Sequence, residues 1–332
     1  MATINTQIDQ VLFSCNLPEK VSITTVGESA EVEVAIEVNS VEVFSVVLNA
    51  TDYKVYLYDI RSIIEDAIRE NDEAFGDCDI NVTENGSSTG TNGFTVILSD
   101  MDIPNAATWL QSHFLTTRVS QCIAADGRQC LSFFANQGEQ ITYIIDATVR
   151  QANGYISTVR WTERNAETAS RGQYSEVINV ADIITHFAQD GQVLAFTVQR
   201  GAARLMKFFI VDIMPQLTLL FSNNFNVWEY AYLNAATVQK RKLEAGEAVS
   251  IRHRLKFDLQ IEEEFEVETS VLSREEAQWL AQMLTARYIA KIMPDGSSKT
   301  ILVDGETEIS DADDAQNRLK FSYIYCQNII YN

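Results

Sequence analysis

Five consecutive residues, Gly86-Ser87-Ser88-Thr89-Gly90, match the G-x-S-x-G pattern in which many serine hydrolases carry their nucleophile. That serine must lie on a sharp turn between a buried strand and a helix. Here Asn85 precedes the pattern, Thr91-Asn92-Gly93 follows it, and the next segment has the alternation of a strand. We therefore predict a polar hairpin loop and no catalytic serine.

The three histidines are the next candidates for chemistry. His113, His186 and His253 are far apart in the sequence, whereas a zinc site needs several nitrogen or sulfur ligands that converge. The chain has no HExxH, no phosphate-binding glycine loop that ends in Lys-Ser or Lys-Thr, and no GxGxxG after a strand. We predict no catalytic residue, no bound metal and no cofactor, and therefore a protein that is not an enzyme.

The five cysteines follow no metal-ligand spacing. Cys122 and Cys130 flank a predicted hairpin turn at Asp126-Gly127. In that hairpin the two side chains would point to opposite faces, so a disulfide is not expected. We predict that all five are free thiols in a reducing compartment.

Acidic residues are abundant and leave two kinds of site to consider. The loop from Asp304 to Asp314 could collect calcium, but it lacks the ligand spacing of an EF-hand. We therefore predict a solvated loop. A glycosidase needs two carboxylates at a set distance in space, which a sequence does not reveal, so a hydrolase acting on cell-wall or capsule polymers stays open as an alternative.

The net charge narrows the classes of partner. The 332 residues include 25 Lys and Arg against 46 Asp and Glu, a formal charge of −21. Such acidity disfavours duplex DNA and anionic lipid, which bind basic surfaces. The charge is uneven, since residues 1–100 hold 18 acidic and 4 basic side chains whereas residues 101–216 hold 10 and 9. We expect no specific nucleic acid to bind.

The sequence also lacks features of export. No apolar run approaches the roughly 20 residues of a membrane span. The first residues have neither the basic region nor the apolar region of a signal peptide. We expect synthesis in the cytoplasm and no membrane insertion.

Most of the chain alternates apolar and polar residues with the period of a β-strand, as in Glu31–Val38. Three segments instead have apolar residues at helical spacing, and they are residues 59–68, 179–188 and 273–280. Asp59 and Asn179 are placed as N-caps of the first two helices. Ser273 and Glu276 form the pattern of a capping box on the third.

The first two predicted helices have matching surroundings. Each follows an extended segment, precedes two strands joined by a polar loop, and leads to a closing Asp…Pro sequence that ends at Pro104 or Pro215. This match predicts a diverged internal duplication of about 110 residues. We therefore predict a mainly β protein of three tandem sandwich or half-barrel domains, each with one short helix. We call them the N-terminal unit (1–104), the middle unit (105–216) and the C-terminal unit (217–332).

One segment of the C-terminal unit is too long for an ordinary strand. Residues 249–269 alternate throughout, and at about 3.3 Å each they would span roughly 70 Å. One face is apolar, and the other changes from basic to acidic. We predict a partner strand near 228–243 and a turn at 244–247. The segment is either an arm that packs on a neighbouring subunit or a strand that bends within one sandwich.

If it is an arm, its basic end would contact the acidic end of a neighbour. The predicted interface residues are Lys240, Arg241, Lys242, Arg252, Arg254, Lys256, Glu262, Glu264 and Glu266.

Three segments of the C-terminal unit resemble a region of tail or baseplate structural proteins from phages and prophages of gut Bacteroidetes. They are Phe221–Glu229, Glu268–Leu280, and the closing stretch from Ile301 to Tyr323. The resemblance covers about a third of the chain. It brings no catalytic residues.

The resemblance implies a distal-tail-like component of the virion tail. Such a protein would assemble with itself into a homo-oligomeric ring in the host cytoplasm and contact other tail or baseplate proteins. Two alternatives to a tail protein therefore stay open: the hydrolase considered above, and an adhesin module that binds carbohydrate or protein.

Overall fold

The computed structural model describes residues 2–162, 167–212, 215–249, 254–307, 309–310 and 316–326. The fold is mainly β, as predicted, with sandwiched sheets and one curled half-barrel sheet. Every sheet takes its strands from only one of the three predicted units. The boundaries at 104 and 216 therefore fall between sheets.

The N-terminal unit is a sandwich of two sheets covered by one helix. One sheet has the order β1-β3-β6 and the other β2-β8-β7-β4-β5, with β2 parallel to β8 and the other pairs antiparallel. Helix α1 spans Ile60–Glu70. The strands are β1 (Thr3–Ile4), β2 (Val11–Phe13), β3 (Lys20–Thr24), β4 (Glu31–Val38), β5 (Val41–Asn49), β6 (Lys54–Tyr58), β7 (Phe75–Glu84) and β8 (Ser87–Ile97).

The middle unit repeats this plan. Its larger sheet has the order β9-β17-β16-β12-β13, again with only its first pair parallel. The smaller sheets pair β10 with β15 and β11 with β14. Helices α2 (Ala106–Ser112) and α3 (Val180–His186) belong to this unit. The strands are β9 (Ser120–Ala124), β10 (Arg128–Ala135), β11 (Gln140–Ile141), β12 (Tyr143–Arg150), β13 (Ile156–Thr162), β14 (Glu167–Thr168), β15 (Gly172–Asn179), β16 (Gln192–Arg200) and β17 (Arg204–Val211).

The two units match strand for strand in their larger sheets. The correspondence places β2 with β9, β8 with β17, β7 with β16, β4 with β12 and β5 with β13. In both units the helix that follows the smaller sheet leads into the central hairpin of the larger one. A duplication would produce this shared topology, and the duplication itself stays a prediction.

Two predictions for the middle unit were wrong. The turn at Asp126-Gly127 exists, with Gly127 N donating to Ala124 O at 3.0 Å, but it joins strands of different sheets instead of forming a hairpin. Strand β10 is buried on both faces over most of its length, so it crosses to the second sheet. Helix α2 was not predicted, and the range 105–216 therefore holds two helices.

The prediction of free thiols is confirmed, since all five cysteines are unbridged. Burial raises the pKa of Cys78 to about 12 and that of Cys130 to about 11.

The helix boundaries agree with the predictions to within a few residues, but two of the three predicted caps do not form. Asp59 lies at the N-cap of α1 in the left-handed conformation, and its side chain accepts no capping bond. Asn179 likewise makes no capping bond. The third helix, α4 (Arg274–Leu284), carries the complete capping box of Ser273 and Glu276.

In the described part of the C-terminal unit, seven strands form a single sheet in the order β19-β18-β22-β23-β24-β21-β20. Helix α4 packs Trp279, Leu280 and Met283 onto the inner side of this half-barrel. The strands are β18 (Leu217–Ser222), β19 (Trp228–Leu233), β20 (Ala235–Val249), β21 (Arg254–Thr269), β22 (Ile289–Ile292), β23 (Ser298–Glu306) and β24 (Lys320–Tyr325).

The long hairpin exists, but its turn is not at 244–247. Strand β20 continues through that segment with a bulge between Glu244 and Gly246, as a glycine inside a strand often indicates. The strand predicted at 228–243 is therefore two strands, β19 and most of β20. The connection between β20 and β21 falls on residues 250–253, outside the described residues.

A buried apolar cluster joins the three units. Helix α2 and the segments beside it lie at its centre, and each unit contributes side chains. The buried members are Phe13, Ala74, Ile97, Ile103, Ala106, Leu110, Leu115, Phe134, Phe225 and Val227. Such a core holds the units together as a shared hydrophobic interior does within one domain.

Candidate interaction surface at the root of the long hairpin

The basic and acidic runs of the hairpin face each other within one chain. The antiparallel register pairs Lys240 with Glu264, Arg241 with Glu263, and Lys242 with Glu262. Lys240 forms an ion pair with Glu266, and Arg241 Nε lies 2.7 Å from Glu263 Oε1. The hydrogen bond to Glu266 raises the pKa of Lys240.

The structure describes the nine predicted interface residues to different extents. Lys240, Arg241, Glu264 and Glu266 lie at the root of the hairpin, where its two strands leave the sheet. Arg252 lies outside the described residues. The backbones of the remaining four are paired in the hairpin, but their side chains lie outside the described residues, and they are Lys242, Arg254, Lys256 and Glu262.

The outer part of the hairpin is a two-stranded ribbon. Strand β21 pairs with β24 only through Phe265–Glu268, and β20 is an edge of the sheet. Among the described strands, none pairs with residues 239–249 or 254–264 except these two with each other. Two-stranded ribbons are marginally stable alone in water, so a contact beyond the sheet would stabilise this one.

A groove lies on the outer face of the sheet at the root of the ribbon. It measures about 320 Å³ and is lined by residues that include Lys240, Glu264, Leu302 and Ile324. Leu302 is 62% exposed, which is high for a leucine in a central strand. The groove thus combines apolar side chains with one basic residue, Lys240, and two acidic residues, Glu264 and Asp304.

On the inner face, an aromatic cluster surrounds a lysine. Lys291 Nζ donates to Tyr323 Oη at 2.8 Å and lies 5.3 to 5.8 Å from the ring centres of Tyr323, Phe265 and Tyr325. Burial lowers the pKa of Lys291, but hydrogen bonds with Tyr323 and Tyr325 outweigh burial, and the net shift is upward. The ammonium group therefore stays charged among the rings, as in a cation–π contact.

The two edge strands of the half-barrel sheet, β19 and β20, differ in whether another unit of the chain contacts them. At β19, Gln129 accepts from Tyr230 N at 2.8 Å, and Gln129 and Gln121 donate to Tyr230 O. The middle unit thus caps that edge with side-chain amides. At the other edge, Val238 of β20 is 56% exposed. The open edge and the ribbon lie on the same side of the sheet.

Sequence reasoning missed the aromatic cluster. Phe265, Lys291 and Tyr323 come from three strands that are far apart in the sequence, and their contact depends on the sheet order. The one sequence signal for this cluster was the alternation of residues 249–269, which placed Phe265 on an apolar face. Nothing in the local sequence marks Lys291.

The segments that carry the phage resemblance meet in the folded chain. Trp279 Nε1 donates to Glu229 Oε2 at 2.5 Å, and both side chains are buried. Burial raises the pKa of Glu229, although hydrogen bonds from Thr116, Trp279 and Asn223 and the charge of Arg118 oppose the shift. Thr116 and Arg118 belong to the middle unit, so the surroundings of Glu229 join the middle and C-terminal units.

The remaining candidates for chemistry stay separate. The hairpin around the Gly86 pattern exists, but the predicted loop is wrong: the turn is confined to Asn85-Gly86, and the rest of the pattern belongs to strand β8, paired with β7. His113 stacks on Trp109, His186 lies beside Trp161, and His253 is outside the described residues.

Within the described residues, no group of three or more His, Cys, Asp and Glu side chains could hold a metal ion. In the acidic loop 304–314, residues 308 and 311–314 lie outside the described part of the chain. None of the described helices is both long and apolar enough to cross a membrane.

Comparison with known proteins adds little. No family model matches the chain, and no curated protein matches it. Among solved structures, the chain is similar to one titled "Crystal structure of CBD12 from CALX1.2", at 12% identity over 61% of this chain and 79% of that one. The TM-score of 0.20 is too low to carry an argument.

Proposed function

We propose that this protein is a structural component of a phage tail or baseplate, assembled from copies of itself into a ring through the long hairpin. The observation that carries the proposal is the ribbon, which leaves the sheet at an open edge without a described third strand. An extended strand pair adds most readily to an exposed sheet edge or apolar face.

The junction between the units supports a role as a rigid building block. A ring must hold its shape, and the shared apolar core resists relative motion of the units. Under this proposal the protein belongs to the virion tail, is made in the host cytoplasm, and contacts other tail or baseplate proteins.

The decisive experiment removes the ribbon without disturbing the sheet. Residues 243–261 are replaced by Asn-Gly, so that the Lys242–Glu262 pair closes a two-residue turn. We expect native mass spectrometry and negative-stain images to show rings for the full chain and monomers for the shortened chain. As a matched control, replacing residues 151–155 between β12 and β13 with Asn-Gly should leave the rings intact.

A full chain that stays monomeric at high concentration and is absent from virions would contradict the proposal. Charge reversal of Arg252 and Arg254 separately tests the electrostatic part. Rings that persist unchanged in that variant would leave backbone pairing and apolar contact as the forces of assembly.

The hydrolase alternative gains no support from the described carboxyl groups. Burial raises the pKa of Glu229, which is the direction that a general acid requires. Glu229 is 4% exposed and is hydrogen-bonded to Trp279 inside the junction. A polymer chain has no access to it.

A further inference from the structure

A second groove lies in the middle unit, far from the hairpin in the sequence. It runs between helix α3 and strands β12, β13 and β15, and it measures about 260 Å³. Its floor is apolar and includes Ile178 and Ile183. The exposed side chains of Val177 and Asp182 also line it, so the groove lies at the surface of the unit.

One wall of this groove is aromatic. The Trp161 ring lies 5.3 Å from the Tyr143 ring in a perpendicular contact and 4.8 Å from the His186 ring at an angle of 47°. On its far side, Tyr143 is stacked by the Arg200 guanidinium at 4.1 Å, and Arg200 is paired with Glu176. These contacts fix the plane of Trp161 in advance, so little side-chain entropy is lost when a ligand binds.

The groove is also lined by polar side chains. Asn179 and Asp182 line the groove at the start of α3. Asn179 occupies the N-cap position, yet its side chain makes no capping bond. In the described part of the chain, no side-chain hydrogen bond is assigned to Asn179 or Asp182, and an amide and a carboxylate are therefore available to a ligand.

We propose that this groove binds one sugar ring of a glycan, with Trp161 as the stacking platform. The negative face of an indole ring attracts the weakly positive C–H face of a sugar. The carboxylate of Asp182 can accept hydrogen bonds from ring hydroxyls, and the amide of Asn179 can both donate and accept. An aromatic ring and polar groups lining the same groove fit a sugar better than an apolar peptide side chain, which would leave Asn179 and Asp182 unpaired.

The matching position in the N-terminal unit is packed by the protein itself. There α1 lies across β4, β5 and β7. Ile63 of α1 and Phe44, Val46 and Leu48 of β5 pack against the core. The N-terminal unit thus has aliphatic side chains and one phenylalanine at this position, whereas the middle unit has Tyr143, Trp161 and His186.

The test uses the full-length protein on a glycan microarray, followed by NMR titration with the methyl glycoside of the best-bound sugar. We expect saturable binding with a Kd of about 1 mM, typical of a small ligand with few contacts. Trp161→Ala should weaken binding by about tenfold or more. The matched control is Trp228→Ala, since Trp228 is 44% exposed but lies on β19, and binding should not change.

Asp182→Ala is a second test of the groove in case Trp161→Ala does not fold. Because Asp182 is exposed, we expect this variant to keep the melting temperature of the natural chain. We expect it to weaken binding severalfold. Three results would overturn the proposal: no retained glycan on the array, undiminished binding by both groove variants, or a peptide that occupies the groove where no glycan does. The shortened-hairpin chain should bind the glycoside equally well, which separates this proposal from ring assembly.

Discussion

The larger sheets of the N-terminal and middle units have the same strand order and strand directions, but the two units differ in charge and in helix length. Residues 1–100 carry 18 acidic and 4 basic side chains, whereas residues 101–216 carry 10 and 9. Helix α1 has 11 residues and α3 has 7. The shared topology thus tolerates large changes in charge and helix length, because alternation and a helical apolar stripe define it.

The two units also bury charge in different ways. In the N-terminal unit, Glu84 accepts from the backbone of Val26 at 2.8 Å and of Gly27 at 3.2 Å. In the middle unit, the fully buried Arg204 donates to Leu110 O at 2.8 Å and Phe134 O at 2.9 Å. Glu84 therefore closes a loop of its own unit, whereas Arg204 holds α2 at the junction.

Arg204 is paired with Glu139, and this pair gives the largest expected effect. Burial opposes ionisation of Glu139, but hydrogen bonds from Arg204 and Asn136 outweigh it and lower its pKa. Arg204→Ala would leave Glu139 and two carbonyl groups without their donor. We expect the free energy of unfolding to fall by about 3–5 kcal/mol, measured by urea denaturation.

Glu84→Ala is the comparison for Arg204→Ala. It removes one acceptor from two backbone amides of one loop, and we expect a loss of about 1–3 kcal/mol. If Glu84→Ala were the more damaging change, the expectation that the buried Arg204 pair contributes more to stability than the Glu84 loop contact would be wrong.

The two repeated helices should respond differently to truncation. Ile64 of α1 is completely buried, whereas Ile184 of α3 is partly exposed near the groove. We expect Ile64→Ala to reduce the free energy of unfolding by about 2–5 kcal/mol. Ile184→Ala should cost clearly less, because solvent already reaches part of its side chain. Equal losses in matched urea titrations would mean that both helices are packed equally well.

Sequence patterns predicted the parts of this fold that depend on local chemistry. Alternation located most strands, and apolar spacing located α1, α3 and α4. The capping box formed because Ser273 and Glu276 need only each other. The caps at Asp59 and Asn179 did not form, although Asn179 has the extended backbone usual at an N-cap, so residue type and position alone do not determine a capping bond.

Long-range features were not predictable in the same way. Cys122 and Cys130 flank a turn between two sheets, and nothing near Asp126-Gly127 distinguishes that turn from a hairpin. The ion pairs of Lys240 and Arg241 depend on the register between strands β20 and β21. That register follows from the position of the turn, which the sequence did not reveal. The sugar-binding groove was missed because Trp161 and His186 meet across two elements.

The junction between the middle and C-terminal units gives a pH-dependent prediction. Glu229 has a pKa raised by burial, and Thr116, Asn223, Trp279 and Arg118 surround it. The folded state therefore holds a proton that the unfolded state releases near the ordinary glutamate pKa of about 4.3. Its contribution to stability is present below that pH and is lost as the pH rises through the folded pKa.

Glu229→Gln removes this titration and keeps an acceptor for Trp279. We expect the variant to gain stability relative to the natural chain as the pH is raised from 4 towards neutrality, in thermal melts at a series of pH values. A stability difference that stays constant across this range would show that Glu229 ionises equally in both states.

The smallest expected changes in the free energy of unfolding concern the N-caps of helix α4, which has a capping bond, and helix α3, which has none. Ser273 accepts from Glu276 N at 3.2 Å, and Ser273→Ala should cost about 1 kcal/mol of unfolding free energy. Asn179→Ala should change it by less than about 0.5 kcal/mol, because that side chain makes no capping bond to lose. If Asn179→Ala costs as much as Ser273→Ala, the Asn179 amide is bound to the helix in solution. It would then not be available to a sugar, so this pair of urea titrations also tests the groove.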